Sequence, residues 1–380
     1  MREFAVPIQT AAPNDPPAIR IPWAVPPVGE EEAEAAREAV ASTRLSMGAS
    51  VRAFESAMAH YAGRDHALAV SNGTDALEIA MRLLGVGPGD EVLVSSLSYI
   101  ATVNCIVRSG ATPVFCDVDP ASLNIDPADV AARITERTRA LVVADYCGFA
   151  VDYDALEPLC ATHGIDLVVD GAQSIGTFHR ERPALGFGRI ATTSFHSAKI
   201  ITTGEGGMVL FDDDDFVERA QRFRGQGEIP GRKYMHDTLG FNHRITDIQG
   251  AIGCVQMSKL PSLHRSRIRG GARYHEALAE VDGVSLVTGA AHTVPAWFTL
   301  PILVDDRDGL AAALRDQGIE TRSLYPIPTY RQPIPEYPTP VEERPNAESA
   351  SARVINLPLF GQITDEQIDE VAAAVRAFVS

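Results

Sequence analysis

Short segments rich in Val, Leu, Ile and Ala recur between residues 67 and 211, separated by stretches with helical periodicity. This alternation predicts an α/β fold with a mainly parallel seven-stranded sheet covered by helices, because parallel strands need crossover connections. Ligands of such sheets bind beyond the carboxyl ends of the strands. The predicted strands are residues 67–71, 91–95, 113–117, 140–145, 166–170, 192–195 and 208–211.

The chain of 380 residues is long enough for one large domain and a smaller one. Residues 1–29 are rich in Pro and lack periodicity, which predicts an extended arm, either disordered or laid across a partner surface. We expect a large domain at 30–265 and a small α+β domain at 266–380. The elements predicted around and beyond this boundary are a long helix ending at 278, a strand at 296–304, a helix at 309–317, a Pro-rich loop at 326–345 and a closing helix from Asp365.

Composition excludes several classes of function. The net charge of −17 and the absence of any basic run disfavour nucleic-acid binding, which depends on phosphate neutralisation. Five cysteines without CxxC spacing predict buried reduced thiols rather than disulfides or a metal site. The sequence shows neither the apolar core of a signal peptide nor a membrane-spanning run, so we expect a cytoplasmic protein without membrane contact.

Lys199 lies within the run TTSFHSAKIITTGEGGM at 192–208. It is one of three lysines, with Lys233 and Lys259, in a chain that otherwise uses Arg for positive charge. A lysine amine can form an imine and shift its pKa on burial, whereas a guanidinium cannot. An Arg-rich genome would explain the scarcity of lysine equally well, so Lys199 needs support from its neighbours.

Two segments have the pattern of a phosphate site. Gly73 and Thr74 stand between a predicted strand and helix, where glycine lets an anion approach the helix N-terminus and the Thr hydroxyl. Ser194 stands near another strand end and its hydroxyl can meet the same phosphate. Plain helix capping explains the Gly-Thr pair as well.

A flat ring would be contacted by three further residues. Tyr99 follows a strand and can stack on a cofactor, although a core aromatic is the alternative. Asp170 closes the strand IDLVVD, and a buried carboxylate there must be paired, for example with a protonated ring nitrogen; a strand-ending cap or a metal ligand stays open. Gln173 can hydrogen-bond the same ring. With Lys199, these residues make the inventory of a pyridoxal phosphate site.

The sequence lacks the glycine-rich motifs that are typical of nucleotide-binding sites. The GEGG at 204–207 allows a tight turn close to whatever Lys199 carries. Neither GxGxxG nor GxxxxGK[ST] occurs in a strand-to-helix context, which disfavours a nicotinamide oxidoreductase or an ATP site.

The series of motifs resembles the DegT/DnrJ/EryC1/StrS family of sugar aminotransferases, which have the fold type I architecture of pyridoxal-phosphate-dependent transferases. The resemblance covers all but about the first two dozen residues. The matching motifs are GTDAL at 73–77, GDEVLVSS at 89–96, GATPVFCDVDP at 110–120, DGAQS at 170–174, SFHSAK at 194–199, TGEGGM at 203–208, and further matches at 240–260, 324–333 and 355–360.

The resemblance implies a role for each site residue. Lys199 would form a Schiff base with pyridoxal 5'-phosphate, Asp170 would contact the pyridine nitrogen, and Tyr99 would stack on the ring. Asn242 matches an asparagine that contacts the phosphate across a dimer interface, which implies a homodimer with composite active sites. The other residues implied to contact the cofactor are Gly73, Thr74, Gln173 and Ser194.

The reaction implied by the resemblance is a ping-pong transamination. L-glutamate or glutamine would give its amino group to a keto group of a nucleotide-linked deoxysugar, with pyridoxamine 5'-phosphate as the intermediate form of the cofactor. His196, Arg244 and Tyr330 are the expected substrate contacts, and Tyr330 stands where the family commonly has histidine. A cyclic ketone such as an inosose is the alternative substrate. A sugar dehydratase, in whose branch histidine replaces the lysine, and a non-catalytic regulator are further alternatives.

Overall fold

The computed structural model describes residues 19–338 and 342–380. Its helices are α1 (Glu30–Ala41), α2 (Ala49–Ala62), α3 (Gly73–Leu83), α4 (Ile100–Arg108), α5 (Pro127–Arg133), α6 (Tyr153–His163), α7 (Asp214–Arg224), α8 (Asp247–Leu278), α9 (Arg307–Asp316), α10 (Pro345–Arg353) and α11 (Asp365–Val379). Its strands are β1 (His66–Val70), β2 (Glu91–Ser95), β3 (Thr112–Cys116), β4 (Thr138–Ala144), β5 (Asp166–Asp170), β6 (Phe178–His179), β7 (Arg182–Pro183), β8 (Ile190–Ser194), β9 (Gly207–Phe211), β10 (Ser285–Leu286), β11 (Thr293–Val294), β12 (Leu300–Leu303) and β13 (Val354–Leu357).

The central sheet has the strand order β1-β9-β8-β5-β4-β2-β3. Strands β8, β5, β4, β2 and β3 pair in parallel, whereas β9 runs antiparallel to both of its neighbours. Every residue of β2, β8 and β9 is buried, as expected for a sheet that is covered on both faces. The predicted mainly parallel seven-stranded sheet is confirmed.

Side-chain caps define where several helices on this sheet begin. The Asn72 side chain accepts a hydrogen bond from the backbone N–H of Asp75 and so caps α3. Asp126 and Asp152 cap α5 and α6 in the same way. Asn72 follows the end of β1 closely, so the chain changes there from sheet to helix within a short turn, whereas Asp126 and Asp152 cap their helices after longer loops.

The small α+β part of the fold is built on a three-stranded sheet, β10-β12-β13, packed against α9 and α11. Within it, α10 and β13 occupy the end of the segment predicted as a Pro-rich loop and the residues after it. The helix α8 continues without a break through residue 265. The domain division near this residue therefore stays a prediction, with one helix shared between the two parts.

The described portion of the N-terminal arm lies against its own chain. Ile21 is 2% exposed and forms a parallel bridge with Ile319, and the backbone N–H of Trp23 donates to the Glu320 carboxylate over 3.0 Å. From residue 19 onward the predicted arm at 1–29 therefore lies against its own chain rather than being disordered or free for a partner surface, and its first 18 residues lie outside the described residues.

Two further features bear on the expectations from composition. All five cysteines are free thiols, and four of them are buried. Among residues 19–338 and 342–380, no helix combines the length and apolarity needed to cross a membrane.

Candidate active site

A cavity of about 760 Å³ opens at the carboxyl ends of β4, β5 and β8, where α/β sheets bind their ligands. The start of α3 and the start of α4 form one wall, and Phe298 and Tyr325 from the C-terminal part form another. Eight of the residues singled out in the sequence line it: Gly73, Thr74, Tyr99, Asp170, Gln173, Ser194, His196 and Lys199.

Lys199 enters the cavity from the turn that follows β8. Its Nζ lies 4.9 Å from the centre of the Phe298 ring and has no hydrogen bond or ion pair to any described residue. Burial lowers the pKa of Lys199 to about 8, although the charge of Asp170 opposes this shift. The unprotonated fraction of the amine near neutral pH is therefore larger than that of an ordinary lysine, which favours a nucleophile that forms imines.

Asp170, the last residue of β5, is 7% exposed. Its Oδ2 accepts a hydrogen bond from the Thr102 hydroxyl over 2.7 Å, and its Oδ1 accepts one from the Ala172 N–H over 3.2 Å. Burial raises the pKa of Asp170, while these bonds and the charge of Lys199 lower it. No arginine, lysine or histidine of the described residues forms an ion pair with this carboxylate, so it can serve as the partner of a protonated ring nitrogen.

The start of α3 forms a corner that fits a phosphate. Gly73 and Thr74 are its first residues, whose N–H groups have no acceptor inside a helix. A Cβ on Gly73 would lie 2.9 Å from the Cβ of Ser194, and one on Gly207 would lie 2.3 Å from the Asn72 carbonyl oxygen. The two glycines therefore allow the helix start to approach the ends of β8 and β9 closely, leaving N–H and hydroxyl donors around one point.

The remaining wall of the cavity is formed by two tyrosine rings and the side-chain amide of Gln173. Tyr99, the residue before α4, is 61% exposed, and its ring centre is 6.4 Å from that of Tyr325. The Gln173 Oε1 accepts a hydrogen bond from the Cys147 N–H over 2.8 Å, and its Nε2 donates to the Tyr325 hydroxyl over 2.5 Å. Sequence reasoning missed Tyr325 and Phe298. Tyr325 could have been found, because it lies within the matching motif LYPIPTYRQP.

The comparison with known proteins decides the family. The sequence model of the DegT/DnrJ/EryC1/StrS aminotransferase family matches residues 26–376. The chain belongs to this family. It is a pyridoxal-phosphate-dependent aminotransferase, as the resemblance of its motifs predicted.

Several known proteins are similar to the chain over almost their whole length. A GDP-perosamine synthase of Caulobacter vibrioides is 36% identical over 367 residues, covering 94% of this chain and 97% of that protein. A pleiotropic regulatory protein of Geobacillus stearothermophilus is 34% identical over 348 residues, covering 90% and 92%. The crystal structure of S. venezuelae DesV in complex with a ketimine intermediate matches with a TM-score of 0.90 and 34% identity, covering 95% of this chain and 99% of that chain.

The described residues of the aminotransferase fit pyridoxal 5'-phosphate at three points. Asp170 is a buried carboxylate without a cationic hydrogen-bond partner, Lys199 is a half-buried lysine without an anionic one, and the corner at Gly73 would be filled by a single Cβ. No cluster of three or more His, Cys, Asp or Glu in the described ranges could hold a metal ion.

Of the three expected substrate contacts, only His196 lines the cavity. His196 stands at the cavity edge, exposed, with its Nε2 3.9 Å from the Glu205 carboxylate. Tyr330 is 7% exposed and lies outside the cavity, because its hydroxyl bonds to Glu348 and its ring packs on Phe115. The position of Tyr330 therefore does not support the substrate contact predicted for it.

Asn242 and Arg244 also lie outside the cavity of their own subunit. Both are exposed on the loop between α7 and α8. Between them, the buried His243 pairs with Asp75 over 3.0 Å, and its carbonyl oxygen accepts from the Ser71 N–H over 3.0 Å. This anchor holds the loop beside the start of α3 while the two flanking side chains face outward.

Proposed function

We propose that this aminotransferase moves the amino group of L-glutamate or L-glutamine to a keto group of a nucleotide-linked deoxysugar by a ping-pong reaction. The observation that carries the proposal is the presence in one cavity of a lysine and a buried carboxylate, Lys199 and Asp170, neither of which forms an ion pair with a described residue. The sugar assignment is supported by the similarity to a GDP-perosamine synthase. A cytoplasmic location stays a prediction.

Each residue of the site has its own role in the proposed reaction. When bound, pyridoxal 5'-phosphate supplies the electron sink and carries the amino group between the two substrates as pyridoxamine 5'-phosphate. Asp170 would hold a proton on the ring nitrogen. Lys199, with a pKa of about 8, would take and return a proton at Nζ as general base and acid. Gly73, Thr74 and Ser194 would hold the phosphate.

The cofactor assignment is tested by absorbance and peptide mapping. The purified enzyme should absorb in the visible range, lose this band on addition of glutamate, and carry a borohydride-reduced adduct on Lys199. Lys259 is an internal control, because it is held in ion pairs with Glu31 and Glu32. An adduct on Lys259 or Lys233, or protein without cofactor, would contradict the proposal.

The substrate assignment is tested with a panel of keto compounds. Nucleotide-linked keto-sugars should be aminated with glutamate as donor, and the same sugars without the nucleotide should react poorly, because they forgo the binding energy of the remote group. A cyclic ketone such as an inosose belongs in the panel as the alternative substrate. Preference for the cyclic ketone would replace the sugar assignment and leave the aminotransferase assignment intact.

The composite homodimer is proposed from the outward-facing loop. Besides Asn242, the loop exposes large apolar side chains, Tyr234 at 78%, Leu239 at 78% and Phe241 at 41%, which is typical of an interface. Two inactive variants, Lys199→Gln and Asn242→Ala, test it by mixing after reversible dissociation. Random exchange should restore about a quarter of the wild-type activity, because half of the dimers then hold one intact site of two. No restoration would exclude a site shared between subunits.

A regulatory role is the second candidate, because a similar protein is described as a pleiotropic regulatory protein. Lys199 and the complete phosphate corner favour catalysis. Turnover with any keto-sugar of the panel that is abolished in Lys199→Gln would exclude a purely non-catalytic role.

A further inference from the structure

Tyr325 forms a hydrogen bond with Gln173 that has no role in the reaction proposed above. The backbone N–H of Cys147 can only donate, so the Gln173 atom that faces it over 2.8 Å must be the carbonyl oxygen. The amide nitrogen then faces the Tyr325 hydroxyl over 2.5 Å, and this hydroxyl is the acceptor. The orientation of the carboxamide is therefore fixed by its two partners.

One donor of Gln173 remains unused in this arrangement. A carboxamide nitrogen carries two N–H groups, and only one is engaged by Tyr325. Both Gln173 and Tyr325 line the cavity that also holds Lys199. The free N–H of Gln173 is thus available to an acceptor inside the cavity.

Tyr325 itself is held in an unusual conformation. Its φ of 60° lies in the left-handed region, which bulky residues rarely adopt without support from their surroundings. Support comes from Asn356, whose Oδ1 accepts from the N–H of the preceding Leu324 over 3.0 Å and whose Nδ2 donates to the Cys147 sulfur over 3.3 Å. Asn356 is fully buried, so the loop carrying Tyr325 is fastened to the same Cys147 that fixes Gln173.

We propose that Tyr325 is a positioning residue, which holds the Gln173 carboxamide with its free N–H available to the ring-hydroxyl oxygen of bound pyridoxal 5'-phosphate. This inference rests on the proposed cofactor chemistry. The ring oxygen neighbours the carbon that bonds to Lys199, and in its anionic form it retains the proton of the lysine–cofactor linkage. A donor to that oxygen weakens this retention, so Gln173 and Tyr325 together lower the pH at which the linkage loses its proton.

The test is a pH titration of the visible absorbance of the cofactor-loaded enzyme. Tyr325→Phe keeps the ring and removes the acceptor, and the midpoint should rise by about one pH unit, which is about tenfold in proton affinity. Tyr337→Phe is the matched control, because Tyr337 belongs to the same C-terminal segment and donates to Asn104 over 2.6 Å outside the cavity. Its midpoint should equal that of the wild type.

A double variant separates positioning from direct contact. Gln173→Leu alone should raise the midpoint at least as far, and adding Tyr325→Phe should raise it no further, since Tyr325 acts through Gln173. Additive shifts, or an unchanged midpoint in Tyr325→Phe, would overturn the inference. If Tyr325→Phe does not fold, an unchanged midpoint in Gln173→Leu overturns it alone. A wild-type enzyme without any visible band would instead refute the proposed cofactor chemistry.

Discussion

Replacing Thr102 by Val tests how the protein keeps a negative charge on Asp170. The Thr102 side chain is buried on α4, and its hydroxyl donates to the Asp170 carboxylate over 2.7 Å. Valine has nearly the same shape and lacks the hydroxyl, whereas Thr102→Ser retains it. Thr102→Val therefore differs from the wild type mainly in this one hydrogen bond, and Thr102→Ser serves as the control that retains the hydroxyl.

The magnitude follows from the bond and the burial. A hydrogen bond to a charged group contributes about 1.5–3 kcal/mol, and one pKa unit corresponds to about 1.4 kcal/mol. Burial already raises the pKa of Asp170 in the folded chain, and the loss of the bond should raise it further, because the charged carboxylate loses more bond energy than the protonated carboxyl. A group whose pKa is raised on folding destabilises the fold as pH rises from its unfolded to its folded pKa.

Urea unfolding of the apoenzyme measures this loss. At about pH 8, Thr102→Val should be about 1.5–3 kcal/mol less stable than the wild type, whereas any loss in Thr102→Ser should be the same at every pH, because it removes only a methyl group. Near pH 4 the difference should shrink toward about 1 kcal/mol, because the raised pKa of Asp170 favours its protonated form in the folded chain, and only a neutral hydrogen bond is lost from that form. An equal difference at both pH values would refute the reasoning, since the hydroxyl would then not act on the charge of Asp170.

Three further results are expected. The rate at which the apoenzyme bonds to added pyridoxal 5'-phosphate should rise with pH around a midpoint near 8, where Lys199 loses its proton; Lys199→Arg should form no adduct. Gly73→Ala should weaken cofactor binding by about tenfold or more in fluorescence titrations, because its Cβ meets Ser194 in the phosphate corner, whereas Gly87→Ala, with only one neighbour at 3.9 Å, should not. Burial raises the pKa of Asp145 to about 6, so apoenzyme stability should fall as pH rises from about 4 to 6, and Asp145→Asn should flatten this part of the urea-unfolding profile.

The sheet was predictable because each strand is a short apolar run with clear ends. The bounds of β2 and β5 coincide with the predicted segments, and the other five strands of the sheet differ by at most two residues at either end. Strands buried on both faces need apolar side chains throughout, so composition alone marks them. The C-terminal part was less accessible, since β10 has two residues and α10 begins with a proline inside a Pro-rich segment.

The residues of the phosphate corner could likewise be predicted from short sequence motifs, whereas those of the opposite cavity wall could not. Gly73 and Thr74 follow β1, whereas Ser194 is the last residue of β8 and Lys199 follows it; both strands were recognisable in the sequence. Tyr325 stands 152 residues from its hydrogen-bond partner Gln173, and no periodicity links two such positions. The same holds for the ring of Phe298 over Lys199, which only the folded chain brings together.

Burial acts on the two central groups in opposite directions. It lowers the pKa of Lys199 and raises that of Asp170, so both are driven toward their neutral forms while no described residue pairs with either. A bound cofactor would remove the cost of burying both groups, because its ring nitrogen would share a proton with Asp170 and one of its carbons would bond to Lys199. We therefore expect the site to lower the free energy of unfolding of the apoenzyme and the bound cofactor to raise it again. A ligand that binds only the folded chain stabilises it by about 4 kcal/mol at a thousandfold excess over Kd. The reactive lysine and its readiness to accept the cofactor then have one physical origin, the burial of two charges whose partner the chain does not supply.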